Sequence, residues 1–169
     1  KSKLYFLKSM DDAIKTDEFL KTAKNIAVIG GGMTGVEVAR IAQERGIQTT
    51  LIHRNKNLLN DYLDEPASHL LESWMNAEGM RLLLNTEVTE IGFDEENTII
   101  QTANGQKIPV DGVIFTIGFR PNSYLLNQQV ELGDSGAVIV DEYMQTTCPD
   151  VFAVGDVSTT YVNLLEKSY

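Results

Sequence analysis

A glycine-rich run that could bind phosphates stands at Gly30-Gly31-Gly32-Met33-Thr34-Gly35, directly after a short apolar run and at the start of a segment with helical periodicity. Gly30 would allow a tight turn, Gly32 would let the backbone approach a pyrophosphate, and Gly35 would let the helix pack on the strand. The free N–H groups at the helix N-terminus would then bind the phosphates. The run predicts a dinucleotide site; the alternative is a tight glycine turn without a ligand.

The end of the next predicted strand, at residues 48–53, selects between the two nicotinamide dinucleotides. NAD-binding proteins usually place Asp or Glu there, about 20 residues after the glycines, to accept a hydrogen bond from the ribose 2′-OH. Here the position holds His53, with Arg54 and Lys56 close behind, and no acid lies between Glu44 and Asp61. Because these cations suit a 2′-phosphate, the cluster favours NADPH over NADH. A solvated loop with incidental charges is the alternative.

Few other residues are candidates for chemistry. Glu37 follows the glycine run closely and is either a contact to the nicotinamide side or a surface acid near the helix N-terminus. Cys148 precedes a proline and has no second cysteine, which indicates a structural or surface thiol. The Tyr-x-x-x-Lys pair of a short-chain dehydrogenase does not occur. We therefore predict no catalytic acid, base or nucleophile in these residues.

The elements that must position the glycine run follow from the periodicity. Asp11 or Asp12 is expected to cap a first helix, and Asp61 or Asp64 a later one. Buried strands are predicted at residues 25–29, 48–53, 81–84 and 112–117, and a helix at 33–45. One face of the later helix is predicted to carry its apolar residues, Leu63, Ala67, Leu70, Leu71, Trp74 and Met75.

The succession of strands and helices predicts a parallel sheet. Short alternating runs at 86–93, 97–102 and 106–110 then indicate an antiparallel meander, with Asn104-Gly105 as a type I′ hairpin turn. Runs at 137–140 and 151–154 predict two more buried strands in a different sheet. The expected fold is α/β, a Rossmann-like parallel sheet with helices on its faces and an inserted antiparallel β-meander.

Composition narrows the class of protein. The chain has 169 residues, 43% of them hydrophobic, and a formal charge of 14 − 24 = −10. The acidic balance argues against nucleic acid or an anionic membrane as a partner. No apolar run approaches the ~18 residues of a membrane span, and no secretory signal opens the chain, so a cytoplasmic location is expected. Since the chain starts at Lys1 without a methionine, we expect a piece of a longer protein; a processed small protein is the alternative.

Two further motifs carry a family resemblance. The glycine run with Glu37, the run Phe115-Thr-Ile-Gly-Phe-Arg-Pro-Asn122 and the run Thr147-Cys-Pro-Asp-Val-Phe-Ala-Val-Gly-Asp156 occur in this order. Together they resemble the flavin-dependent pyridine nucleotide-disulfide oxidoreductases over essentially the whole chain. Within that family the chain is most similar to coenzyme A-disulfide reductases, NADH oxidases and related persulfide or peroxide reductases. Leu51-Ile-His-Arg54 resembles the NADPH-using coenzyme A-disulfide reductases.

The resemblance implies a division of the chain. Residues 1–122 would form an NAD(P)H-binding Rossmann domain, and residues 123–169 would return to the FAD-binding domain. Ile117 and Gly118 would lie at the nicotinamide end of the dinucleotide. Gly155 and Asp156 would contact FAD, with the carboxylate accepting a hydrogen bond from the ribityl chain. Met33 would take the place of a large aromatic residue that often gates the nicotinamide pocket.

Other parts of the family pattern have no counterpart in these residues. They are the first FAD-binding glycine motif, the redox-active cysteine and the C-terminal dimer domain. The absence of a CxxC disfavours the thioredoxin-reductase branch. The resemblance implies a homodimeric parent with FAD, whose electron acceptor is a small disulfide, a persulfide or oxygen.

The leading hypothesis is the NAD(P)H-binding part of such a flavoenzyme, inactive and colourless by itself. A stand-alone nucleotide-sensing module is the alternative, although Gly155-Asp156 would then have no purpose. A nucleotide-binding methyltransferase shares the glycine run but predicts neither of the other two motifs.

Overall fold

Short apolar runs separated by amphipathic helices build a parallel sheet in the computed structural model, which describes residues 3–94, 97–126, 128–162 and 167–168. The chain divides into two units, Lys1–Gly118 and Phe119–Tyr169. The assignment of residues 123–169 to an FAD-binding domain stays a prediction.

The first unit contains three helices and eight strands among its described residues. In chain order they are β1 (Leu4–Phe6), α1 (Met10–Leu20), β2 (Asn25–Ile29), α2 (Met33–Glu44), β3 (Gln48–Ile52), α3 (Glu65–Ala77), β4 (Arg81–Leu83), β5 (Val88–Phe93), β6 (Thr98–Thr102), β7 (Lys107–Val110) and β8 (Gly112–Phe115).

The parallel sheet has the strand order β1-β8-β2-β3-β4. From β2 the chain moves to β3 and β4 on one side, and it later returns to β8 on the other side. Ligands of open α/β sheets bind beyond the carboxyl ends of the strands at such a switch point. A ligand site is therefore expected at the carboxyl ends of β2, β3 and β8.

The two faces of this sheet have different covers. The helices pack on one face, where Ala39, Ala42 and Met75 join strand residues such as Val28 and Leu51 in one buried cluster. The antiparallel meander β5-β6-β7 covers the other face, with Ile100, Ile108 and Val110 against Ala27, Ile52 and Val113. The predicted Rossmann-like α/β fold with an inserted meander is confirmed.

Helix caps follow local side-chain chemistry. Asp64 caps α3 and accepts a hydrogen bond from the N–H of Ala67 at 3.0 Å, as one of the two alternatives predicted. The prediction for α1 was wrong, because Ser9 is the cap. Its hydroxyl oxygen accepts from the N–H of Asp12 at 3.2 Å, and the Asp12 carboxylate accepts from the Ser9 hydroxyl at 2.9 Å. Asp12 thus completes a capping box that starts three residues earlier.

Strand β1 was not predicted from the sequence. It pairs in parallel with β8, and Tyr5 stacks on Phe19 of α1 with ring centroids 4.3 Å apart. The apolar run at residues 4–7 was the available signal.

The inner face of α3 also differs from the prediction. Leu70 and Trp74 are 74% and 47% exposed, whereas Met75 is buried as expected. Ser68 is fully buried instead, because its hydroxyl donates to the carbonyl oxygen of Leu58 at 2.8 Å. A hydrogen bond to a buried loop thus sets the orientation of this helix.

The hairpin between β6 and β7 uses a different turn from the one predicted. Gly105 has φ +82°, but Asn104 is not among the described residues with positive φ. The N–H of Gly105 donates to the carbonyl of Thr102, and the N–H of Thr102 donates to that of Gln106. These bonds fit a three-residue loop with glycine in the left-handed position rather than a type I′ turn.

The strands of the second unit are all short among its described residues. They are β9 (Val138–Ile139), β10 (Ser158–Thr159), β11 (Tyr161–Val162) and β12 (Lys167–Ser168). Strand β9 pairs in parallel with β10, and Val130, Val138, Val140 and Ala153 form a small buried cluster. The strand predicted at 151–154 was wrong, since Phe152 makes only an isolated bridge with Gln145.

Candidate dinucleotide site

Three adjacent strands end at the same edge of the parallel sheet. Gly30 follows β2, His53 follows β3, and Thr116 follows β8. Residues that lie up to 86 positions apart in the sequence are therefore neighbours at this edge. The sheet brings the predicted glycine run and the predicted selectivity position together.

Close backbone packing explains the glycine at position 30. Gly30 has φ +120°, a conformation that residues with a Cβ rarely adopt. A Cβ here would lie 2.4 Å from the carbonyl oxygen of Thr116. The N–H of Gly30 donates to the carbonyl of Ile52 at 2.9 Å, which ties the turn to β3.

Gly35 and Gly32 serve different purposes. A Cβ on Gly35 would lie 1.8 Å from the carbonyl oxygen of Gly30, so this glycine lets α2 pack on the turn. A Cβ on Gly32 would meet no protein atom within 4 Å. Folding therefore requires a glycine at position 35, whereas position 32 faces open space.

The first turn of α2 offers unpaired N–H groups to this open space. The helix begins at Met33 without a side-chain cap, and its first bond runs from the N–H of Val36 to the carbonyl of Gly32 at 3.0 Å. Within the described ranges, no protein group accepts from the N–H groups of Met33, Thr34 and Gly35. Helix N-terminal N–H groups without an acceptor, next to open space at Gly32, fit a pyrophosphate. The residues present thus fit a dinucleotide.

Thr116 is a positioning residue that was not predicted from the sequence. Its hydroxyl lies 3.1 Å from the carbonyl oxygens of both Ile29 and Gly30, to which it can donate. Its N–H also donates to the carbonyl of Ile29 at 2.9 Å. A hydroxyl residue at the end of an apolar strand beside a glycine turn was the available signal. Thr116 fixes the turn from the β8 side.

His53 fixes the glycine run from the β3 side. The N–H of Gly31 donates to Nδ1 of His53 at 3.0 Å, so Nδ1 is the unprotonated nitrogen. Nε2 then carries the proton and donates to Oδ1 of Asn60 at 3.1 Å. Both ring nitrogens are engaged by the protein.

The loop after β3 closes over Gly31. A Cβ on Gly31 would lie 2.6 Å from both the His53 ring and Leu58, and the N–H of Leu59 donates to the carbonyl of Gly31 at 2.9 Å. Leu58 is itself held by α3, since its N–H donates to the Glu72 carboxylate at 2.9 Å and its carbonyl accepts from Ser68. Helix α3 therefore supports the glycine run through this loop.

The cations after His53 have different surroundings. Nζ of Lys56 lies 2.5 Å from Oε1 of Glu65, the first residue of α3. The hydrogen bond from Lys56 lowers the pKa of Glu65, and the bond to Glu65 raises the pKa of Lys56. Arg54 is exposed and makes no hydrogen bond or ion pair with any described residue; it lines a polar cavity of about 430 Å³ together with Asn85 and Thr86. Of the predicted basic cluster, only Arg54 is unpaired.

The remaining predicted site residues are exposed or lie in the second unit. Glu37 is exposed on the second turn of α2. Ile117 is exposed, and Gly118 has φ +96°. Gly155 has φ +78° and begins a short 3₁₀ turn that contains the exposed Asp156. The roles of these residues, like those of the whole predicted set, stay predictions.

A metal-binding cluster and a membrane-spanning helix are both absent from the described ranges. No group of three or more His, Cys, Asp or Glu side chains could hold a metal ion there. No helix in those ranges has the length and apolar character of a membrane span.

Comparisons with known proteins agree on one family. Residues 2–169 match the family model described as pyridine nucleotide-disulphide oxidoreductase. An NADH oxidase of Enterococcus faecalis is 38% identical over 147 residues, which are 86% of this chain and 33% of that protein.

Two solved structures have the same fold. The water-forming NADH oxidase from Lactobacillus brevis bound to NADH superposes with a TM-score of 0.93 at 30% identity, over 100% of this chain and 37% of that one. An engineered water-forming NADPH oxidase bound to NADPH gives a TM-score of 0.91 at 31% identity, over 98% of this chain and 37% of that one. The chain thus spans about a third of the length of these relatives.

Proposed function

Because the chain belongs to the pyridine nucleotide-disulphide oxidoreductase family, we propose that it is the NAD(P)H-binding part of a flavin-dependent disulfide reductase or NAD(P)H oxidase. Its role is to bind the dinucleotide and to position the nicotinamide for hydride transfer. FAD, bound by the longer protein, supplies the hydride acceptor.

The glycine run is the observation that carries this proposal. Gly32 faces open space, and the first-turn amides of α2 have no acceptor among the described residues. The pyrophosphate binds there, with Thr116 and His53 holding the turn in shape from β8 and β3. At the nicotinamide end we assign contacts to Met33, Glu37, Ile117 and Gly118. Gly155 and Asp156 are assigned to FAD.

We further propose that NADPH is the preferred dinucleotide and that Arg54 is its main determinant. Arg54 is unpaired and follows directly after the position where an acid would accept from the 2′-OH. A guanidinium can donate two parallel hydrogen bonds to a phosphate, and Lys56 adds a point charge. Among its five substitutions, the engineered NADPH oxidase has an aspartate replaced by alanine and two residues replaced by arginine. The other two relatives are named for NADH, so the preference rests on Arg54 and not on family membership.

The electron acceptor of the longer protein is oxygen, a small disulfide or a persulfide. The relative from Enterococcus faecalis is named an oxidase, which favours oxygen. No described residue of this chain is assigned to that step. We propose a homodimer for the longer protein.

Calorimetric titration of the chain with NADPH and NADH tests the proposal. NADPH is expected to bind more tightly by more than about 1.4 kcal/mol, a tenfold ratio of dissociation constants. Arg54→Ala should remove most of that ratio and leave NADH binding unchanged. Arg81→Ala is the matched control. Arg81 is also exposed, and its side chain has no partner among the described residues, but it begins β4, whereas Arg54 lies beyond the carboxyl end of β3.

Each outcome bears on a different part of the proposal. Equal affinities in the unmodified chain would overturn the NADPH preference and keep the dinucleotide site. Failure to bind either nucleotide would overturn the site in this chain. The purified chain is expected to be colourless and without turnover; stoichiometric flavin in the sample would contradict that expectation.

A further inference from the structure

The ion pair between Lys56 and Glu65 connects the proposed selectivity loop to the start of α3. Nζ and Oε1 lie 2.5 Å apart, and the two side chains are 72% and 55% exposed. Glu65 directly follows Asp64, the residue that caps the helix. The capped first turn therefore fixes the backbone of Glu65, and Lys56 reaches its carboxylate with a long and flexible side chain.

We propose that Glu65 is a specificity-determining residue that competes with the 2′-phosphate of the nucleotide for Lys56. The inference rests on the proposed function, since it assumes that the end of β3 receives this phosphate. With Lys56 paired, the loop presents one free cation, Arg54. When the pair opens, it presents two.

The competition is possible because the ion pair is exposed. An exposed pair of this kind is weak, since water screens its charges. A phosphate monoester carries more negative charge than a carboxylate and has three acceptor oxygens. A bound 2′-phosphate can therefore draw the ammonium away from Glu65, at a cost that lowers the affinity for NADPH.

The other charged groups near the pair do not have the role proposed for Glu65, which is to compete with the phosphate for Lys56. Glu72 also attracts Lys56, but its carboxylate accepts the N–H of Leu58 at 2.9 Å and thereby holds the loop. His69 lies one helical turn after Glu65, with Nε2 3.7 Å from Oε1. It contacts the carboxylate and not the lysine. The hydrogen bond from Lys56 is also the largest cause of the lowered pKa of Glu65.

Glu65→Gln tests the inference by calorimetric titration of the chain. The substitution should tighten NADPH binding about threefold, which corresponds to the strength of an exposed ion pair, and leave NADH binding unchanged. In a Lys56→Gln background the same substitution should have no effect on NADPH binding. Glu44→Gln is the control, because Glu44 also pairs with a cation, Arg40, but lies at the far end of α2.

Two patterns of tightening would overturn the inference. If Glu65→Gln tightens NADPH equally without Lys56, the carboxylate acts by direct repulsion of the phosphate. If NADH tightens as much as NADPH, the 2′-phosphate is not involved. If Glu65→Gln fails to fold, Glu65→Asp is the second variant, because it keeps an acid in the first turn but has a shorter side chain. Glu65→Asp should tighten NADPH binding by a smaller factor, and this effect should also require Lys56.

The failure of this inference can be distinguished from that of the proposed function. An NADPH preference that depends on Arg54 but does not respond to Glu65→Gln would overturn only the inference. Equal affinities in the unmodified chain, with a preference for NADPH appearing in Glu65→Gln, would support the inference and overturn the proposed preference. Absence of binding in all variants would overturn both.

Discussion

Nδ1 of His53 lies 3.0 Å from the backbone nitrogen of Gly31, so the side chain at the end of β3 holds the glycine run in place. The other ring nitrogen donates to Asn60. A direct contact between His53 and a 2′-phosphate, as the sequence predicts, would require the ring to give up one of these bonds. The structure therefore favours a positioning role for this residue.

His53→Ala should weaken NADPH and NADH binding to the same degree. The substitution releases the glycine run and leaves the N–H of the buried Gly31 without its acceptor, which should lower the free energy of unfolding by about 1–3 kcal/mol. Calorimetry and denaturant unfolding measure the two effects. His69→Ala serves as the control for stability, because His69 is exposed on α3. A loss confined to NADPH would instead place the imidazole on the 2′-phosphate.

Gly32→Ala and Gly35→Ala should separate binding from folding. A methyl group at position 32 meets no protein atom, so stability should change by no more than about 0.5 kcal/mol. The same methyl group would occupy the space proposed for the pyrophosphate, and both dinucleotides should bind at least about tenfold more weakly. Gly35→Ala would clash with the backbone of Gly30 and should destabilise the fold by on the order of 3 kcal/mol. Unaltered binding by a folded Gly32→Ala variant would argue that the run is only a turn.

Thr116→Val should lower the free energy of unfolding by about 1 kcal/mol, because it removes the hydroxyl that lies within hydrogen-bond distance of the carbonyls of Ile29 and Gly30. The shape of the side chain is kept, so the change reports the hydrogen bonds. Thr116→Val should also weaken dinucleotide binding, because the turn loses its support from β8. Thr116→Ser retains the hydroxyl and should bind the dinucleotide as the unmodified chain does. If Val and Ser variants bind NADPH equally well, the hydroxyl does not position the turn.

The pair between Asp17 and Arg45 should make stability depend on pH. Oδ1 of Asp17 lies 2.7 Å from Nη1 of Arg45, and this hydrogen bond, followed by that from Lys21, lowers the pKa of Asp17. Since the folded-state pKa lies below the unfolded-state value, the stabilisation is fully present above the unfolded-state pKa. It is lost as the pH falls through the folded-state pKa.

Asp17→Asn should therefore lower the melting temperature slightly near neutral pH, by about 2 °C or less for an exposed pair. The difference from the unmodified chain should vanish in acid. Glu142→Gln, at an exposed acid without a partner among the described residues, should show no such difference. A difference for Asp17→Asn that stays constant down to acid unfolding would contradict the assignment.

Most strands and helices of the first unit could be predicted because their signals are local. Apolar runs, helical spacing and the left-handed glycines at Gly46 and Gly79 identify the elements between β2 and β4. Strand β1 was missed because its partner, β8, lies more than a hundred residues later in the chain. The strand predicted at 151–154 failed because an apolar run alone does not supply a neighbouring strand.

The sequence by itself determined the glycine run, the Rossmann topology around it and the absence of an acid at the end of β3. Each is a property of short stretches, or of their order along the chain. Only the tertiary structure decided that His53 holds Gly31, that Thr116 fixes the turn, and that Lys56 is paired whereas Arg54 is not. A side chain's partners are set by which strand ends and helix turns meet in space, and residue types alone do not reveal how each donor and acceptor is used.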